Sequence, residues 1–227
     1  MALVTGLLAL SGVSQAQFSS TWTAVSDYDF RGYSQSAKNP ALQASADYTV
    51  GESGFSVGAW ASNVDFDLDE DVELDLYANY VGKVSDLVAF TAGGTWYDYP
   101  MGADLSGYPE FYIGANIGGF SLKQWYSNDF YALGDDAQYT EANYTQPIGE
   151  KFSLAFHVGY SWGDYWDNGV GELIDYAVQA NFTAGKFTIF AKFTGTDSDD
   201  VQEVTGDVGN NEPRGLIGVM TTFPWGD

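Results

Sequence analysis

The chain has 227 residues, with 31 Asp+Glu against 8 Lys+Arg, no Cys, and a formal charge of −23. Nucleic acid would repel so acidic a surface, and without thiols neither a disulfide framework nor a Cys-ligated zinc site can form. At 45% hydrophobic and 17% aromatic the chain is too apolar for acidic disorder, and plentiful Tyr, Phe, Trp and Gly beside 6 Pro point to one all-β domain.

Residues Met1 to Ala16 read MALVTGLLALSGVSQA, with no charge, an apolar stretch from Ala2 to Leu10, and Ser14-Gln15-Ala16 as a small-x-small cleavage pattern. This predicts a secretory signal peptide over 1–16, lacking only the basic n-region, and a mature domain over 17–227. The segment is shorter than the ~20 apolar residues of a membrane-spanning helix, and no later run reaches that length. Any passage through a membrane must therefore be made as a closed barrel, the other form that satisfies every backbone group in lipid.

From Gln17 onward apolar and small or polar residues alternate with period 2, which selects strands. The first strand is expected over 21–31, with Trp22, Tyr28 and Phe30 outward, and it runs into Arg31-Gly32. Arg31 would be a constriction or selectivity residue in a channel; a salt bridge from loop to wall is the plainer role and the preferred one. Strands over 41–50, 55–63, 72–82 and 87–97 place Asp47, Trp60, Glu73, Asp75 and Tyr77 on the inward face. The pair at 110–118 and 120–127 adds Glu110, Tyr112, Lys123 and Trp125. Strands at 139–147, 152–162, 173–183 and 186–194 add Glu141, His157, Asp175 and Lys192, with Phe190 also inward and Lys186 at a mouth. In the last, 214–223, Leu216 and Met220 compete with Ile217 and Val219 for the outward face. Trp22, Tyr28, Phe30, Trp96, Tyr144, Tyr160 and Trp162 fall near strand ends on the outer face, as interfacial aromatic girdles do.

These segments make about twelve strands of about ten residues, the even number and the length of a bacterial outer-membrane barrel. Connections alternate between short, such as 118–119 and 184–185, and long, at 32–40, 64–71, 98–109, 128–138, 163–172 and 195–213. Nineteen of the 31 acids lie in or beside the long connections, among them Asp65, Asp67, Asp69, Asp135, Asp136, Asp199 and Asp200, an acidic rim at one end. Asp65-x-Asp67-x-Asp69 opens like a calcium loop, but Glu70 stands where Gly is required and Leu76 where Glu is, so at most weak divalent binding is expected there. A soluble sandwich also alternates, yet the second face here is rich in Gly, Ala, Ser, Thr and Asn, which suits a crowded lumen.

Several runs recur in a distinctive order: SDYDFRGYSQ from Ser26 to Gln35, PALQ from Pro40 to Gln43, Asp47-Tyr48, and GFSVGAWASNVDF from Gly54 to Phe66. Glu73-Leu74-Asp75, YDYP from Tyr97 to Pro100 and EFYIG from Glu110 to Gly114 follow. In these runs, densest before residue 115, the chain resembles the TorF family of bacterial porins. That resemblance implies an outer-membrane, porin-like barrel in a Gram-negative bacterium, with lipid and small solutes as partners and no cofactor. One departure stands out: barrels of this kind usually end on an aromatic residue, whereas Phe223 is followed by Pro224, Trp225, Gly226 and Asp227.

A twelve-stranded barrel would close at a backbone diameter of roughly 24 Å and leave about 10 Å or less between inward side chains. Its inward charges are net negative, which favours small cationic or neutral solutes. The alternative is a plugged barrel whose inward carboxylates pair with Arg31 and the lysines while the acidic loops serve adhesion, cation binding or surface charge. Catalysis has little support: the lone His157 lies about 13 Å along its strand from Ser153 and Ser161, with no orienting group evident.

Overall fold

Twelve antiparallel strands hydrogen-bond in a ring that closes where β1 (Phe18–Val25) meets β14 (Arg214–Phe223). The computed structural model describes residues 18–102, 105–169, 171–198 and 207–225. The signal peptide expected over 1–16, and Asp199 and Asp200 of the acidic rim, lie outside the described residues. Two short strands, β2 (Asp29–Phe30) and β3 (Tyr33–Ser34), form a hairpin of their own apart from the ring. The remaining wall strands are β4 (Ala41–Thr49), β5 (Phe55–Asn63), β6 (Val72–Lys83), β7 (Val88–Asp98), β8 (Tyr108–Ile117) and β9 (Phe120–Ser127). They continue with β10 (Ala137–Ile148), β11 (Phe152–Trp162), β12 (Leu173–Ala184) and β13 (Phe187–Thr196). Among the described residues helical structure is confined to short pieces in the long connections, Phe130–Ala132 and Asp164–Asn168, and no helix there is long and apolar enough to cross a membrane.

The burial pattern is inside out. Glu73, Asp75, Glu110, Glu141, Asp175, Thr194 and Ser161 are buried, while Leu76, Phe111 and Ile113 are 53%, 58% and 69% exposed. In water the exposed apolar band would be untenable, whereas in lipid it is the favoured outer surface of a transmembrane barrel. Trp22, Trp96, Tyr144 and Tyr160 stand outward near strand ends. The ambiguity in β14 resolves by register: Leu216 is buried with Met220 on the inner face, and Ile217 and Val219 are exposed.

Eleven of the expected strands begin and end within two residues of the observed ones. The first is the exception and a correction. It ends at Val25, not at residue 31, and the chain then turns into the barrel. Tyr28 and Phe30 are therefore not girdle residues: Tyr28 is buried at 1% exposure and Phe30 packs against interior aromatics. The physical reason is a two-residue turn with Arg31 at φ 50 and Gly32 at φ 85. Positive φ at both central positions is the turn whose twist suits a tight hairpin, and only the second position is a glycine here.

Candidate functional site

The inward hairpin organises the interior. Its tip carries Arg31, whose guanidinium donates to both oxygens of Glu110 on β8, at 3.0, 3.1 and 2.8 Å, and lies 4.0 Å from the ring centroid of Tyr139 on β10. A fork-shaped donor facing a carboxylate edge is a strong and directional pair, and it holds Arg31 in its unfavourable φ. Burial pushes the guanidinium's pKa down, and Glu110 more than reverses that, leaving it raised. The loop-to-wall salt bridge expected of Arg31 is thus present, at the tip of an inserted hairpin.

The base of the hairpin is clamped from the other side. Arg214 of β14 donates to Asp27, to the Gly32 carbonyl and to Asp29, at 2.5, 2.6 and 2.7 Å, while Lys192 of β13 reaches Asp29 at 2.6 Å. Burial pushes the Asp29 carboxyl up, but Lys192 and Arg214 outweigh it and hold the group below its ordinary value. Alternation along the sequence gave no sign of this clamp, since Asp27 and Asp29 sat within an apparent strand. The turn chemistry of Arg31-Gly32 was the available signal.

Towards the long connections, an aromatic layer packs inside the barrel around the hairpin. Tyr97, Tyr99, Tyr108, Phe130 and Trp166 form its buried core, with Phe30, Tyr33, Phe66 and Tyr131 packed around them. Burial pushes the Tyr33 hydroxyl up to about 12, so it stays a neutral donor.

Below the hairpin tip lies a polar network centred on His157. One ring nitrogen contacts Asp175 at 2.8 Å and the Tyr139 hydroxyl at 2.9 Å, and the other contacts Asn143 at 2.7 Å. Asn143 donates in turn to Glu141, which also accepts from Trp125 at 2.8 Å. Gly159 makes room for this cluster, because a Cβ there would collide with the Tyr139 hydroxyl and the Asp175 carboxylate. No serine hydroxyl is among the partners of His157 in the described residues. The network floors a vestibule of about 300 Å³ that opens towards the short turns, lined by Thr145, Ser153, Gln179, Asn181 and Lys192.

All the inward candidates from the sequence face the interior, in separate groups. Asp47 accepts from Tyr77 and Ser45 near the short-turn end. Tyr112 donates to Asn79, and the Lys123 ammonium stands 4.5 and 5.2 Å from the Tyr112 and Trp125 ring centroids. Glu73 accepts from the Tyr28 and Tyr99 hydroxyls at 2.8 and 3.1 Å. Among the described residues Asp75 beside it has no hydrogen-bond partner on either oxygen, and Trp60 is its cross-strand neighbour. At the rim Asp67 and Asp69 are exposed, with Asp65, Asp135 and Asp136 partly so. Among the described residues no group of three or more His, Asp or Glu side chains is placed to hold a metal ion.

Solved barrels share this architecture. A KdgM porin superposes with a TM-score of 0.56 at 11% identity, over 90% of this chain and 99% of that one. A NanC porin does so with a TM-score of 0.61 at 10% identity, over 91% and 100%. A KdgM porin in complex with disordered oligogalacturonate gives 0.54 at 11% identity, over 90% and 99%. At these identities the likeness is one of fold, that of outer-membrane porin-type barrels. No curated protein matches the sequence. A family model described as bacterial protein of unknown function (Gcw_chp) matches residues 9–223, nearly the whole chain, and the protein belongs to that family.

Proposed function

We propose that the chain, exported by a signal peptide over 1–16, is an outer-membrane diffusion channel of a Gram-negative bacterium for small cationic or neutral solutes, narrowed by its inserted hairpin. The observation that carries this reading is the charge balance inside. Asp27, Asp29, Asp47, Glu73, Asp75, Glu110, Glu141 and Asp175 outnumber Arg31, Lys123, Lys192, Arg214 and His157. In a narrow bore with low-dielectric walls such an excess concentrates cations and repels anions. The exposed carboxylates of the long connections add a field of the same sign at the mouth. The porin-type fold supports a channel, although the polyanionic ligand named for the KdgM complex has a charge that this interior disfavours.

A second reading, a plugged barrel that acts through its acidic loops, is favoured by one feature: the aromatic layer and the hairpin together occupy the long-connection half of the bore. Single-channel recording of the refolded protein in a planar bilayer under a KCl gradient separates the two. Discrete steps with a cation-selective reversal potential support the channel. Anion-selective steps overturn the charge assignment, and an inserted barrel that never conducts establishes the plug.

A further inference from the structure

Glu73 and Asp75 lie two residues apart on the inner face of β6, about 7 Å between Cα atoms. Asp75 is fully buried at 0% exposure with neither carboxylate oxygen hydrogen-bonded among the described residues, and Glu73, 3% exposed, accepts from the Tyr28 and Tyr99 hydroxyls. None of the chain's 8 Lys and Arg side chains serves this pair. Arg31 is taken by Glu110, Lys192 and Arg214 by Asp27 and Asp29, and Lys38 by Asp207 and Glu212. Lys123 lies over Tyr112 and Trp125, while Lys83, Lys151 and Lys186 stand at the short turns. His157, the one histidine, is held by Asp175, Asn143 and Tyr139. Carboxylates taken out of water need a counter-charge or a proton, and inside a membrane an ionisable group with no ion-pair partner among the described residues points to a solute pathway.

We infer that Glu73 and Asp75 form a binding site for a primary organic ammonium, walled by Tyr28, Trp60, Tyr97 and Tyr99. Trp60 and Tyr97 are the cross-strand neighbours of Asp75 on its two sides, and Tyr28 lies 5.3 Å from Trp60 between ring centroids. Aromatic faces attract an alkylammonium, and a primary amine brings N–H donors for the two unpartnered Asp75 oxygens, which a quaternary ammonium lacks. A calcium ion seeks six to eight oxygens, a shell that two carboxylates flanked by indole and phenol rings do not supply. The inference rests on the channel reading, because a solute reaches Asp75 only through the lumen.

The test is isothermal titration of the refolded chain at constant ionic strength with methylammonium, putrescine, tetramethylammonium, Na⁺ and Ca²⁺. Folding of each variant is checked by heat-modifiable electrophoretic mobility. Saturable binding of the primary amines, weakened at least tenfold in Asp75→Asn and in Glu73→Gln and absent for tetramethylammonium, is expected. Primary amines that do not bind, Na⁺ or Ca²⁺ that bind as well, or an affinity unchanged in both variants would each overturn it. Bilayer recordings on the same preparation keep the two ideas apart. A barrel that conducts but binds no amine defeats the ammonium site alone, and one that binds amine without conducting defeats the channel alone.

Discussion

Arg31 and Glu110 meet across the interior, the first at the tip of the hairpin that follows β1 and the second on β8, 79 residues later, joined by a two-pronged ion pair. Breaking a buried pair by removing one partner strands the other charge, at a cost of about 3–5 kcal/mol, whereas removing both costs less. Arg31→Ala should therefore lower stability by about that amount and enlarge the conductance by freeing the hairpin tip. The double variant Arg31→Ala with Glu110→Ala should recover part of the stability while keeping the larger conductance. Urea titration with bilayer recording reads both quantities.

Acid should loosen the base of the hairpin. Asp29 is held below its ordinary value of 3.8 by Lys192 and Arg214 against the opposing effect of burial. A depressed carboxyl contributes stability that is complete above its unfolded value and disappears as pH falls through the folded one. Amide exchange over Asp27 to Ser34 should be slow at neutral pH and rise only below pH 3.8, under conditions where the wall strands remain protected. In Asp29→Asn the fast exchange should already be present at neutral pH.

Adjacent residues of β12 test the register. Val178 faces outward at 43% exposure, and Gln179 lines the vestibule. Val178→Arg should cost about 2–4 kcal/mol of stability in lipid if it lies near mid-depth. Gln179→Arg should cost well under about 1 kcal/mol, the usual range for a change in a wet site, and should shift the reversal potential towards anions. A slip of one residue would exchange the two results.

Gly159→Ala should damage the His157 network without touching it chemically. The added methyl meets the Tyr139 hydroxyl and the Asp175 carboxylate, and overpacking of this kind costs about 1–3 kcal/mol. A lowered temperature of the heat-modifiable mobility shift is expected, with only part of the loss removed when Tyr139→Phe is combined with it, because the Asp175 carboxylate and the ring edge at 139 still meet the methyl.

The walls were legible because each strand repeats one instruction: a residue such as Ile113 must face lipid, its neighbour Tyr112 must face inward, and a single slip exposes every error at once. The hairpin was not legible for the same reason. Tyr28 and Phe30 continue the alternation of β1 perfectly well, and periodicity cannot distinguish an aromatic residue bound for lipid from one bound for an interior aromatic layer. What diverts the chain is long-range: Asp27 and Asp29 answer to Arg214 and Lys192, which no local pattern connects to them. The inward position of Glu73 and Asp75 could be read from alternation, but that no Lys, Arg or His side chain pairs with them became visible only once each of those side chains had been placed.

The clamp on the hairpin comes from β14, the strand that also closes the ring against β1, and Arg214 grips Asp27 over a separation of 187 residues. Contacts so distant along the chain form late, after the intervening strands have found their order. The base of the hairpin is therefore the last part of it to be secured, and until the final strand docks the obstruction lacks the Arg214 half of its clamp. Completion of the wall and final fastening of the hairpin become a single event, so a barrel caught short of its last strand would be leaky at its seam and loosely obstructed at its centre together.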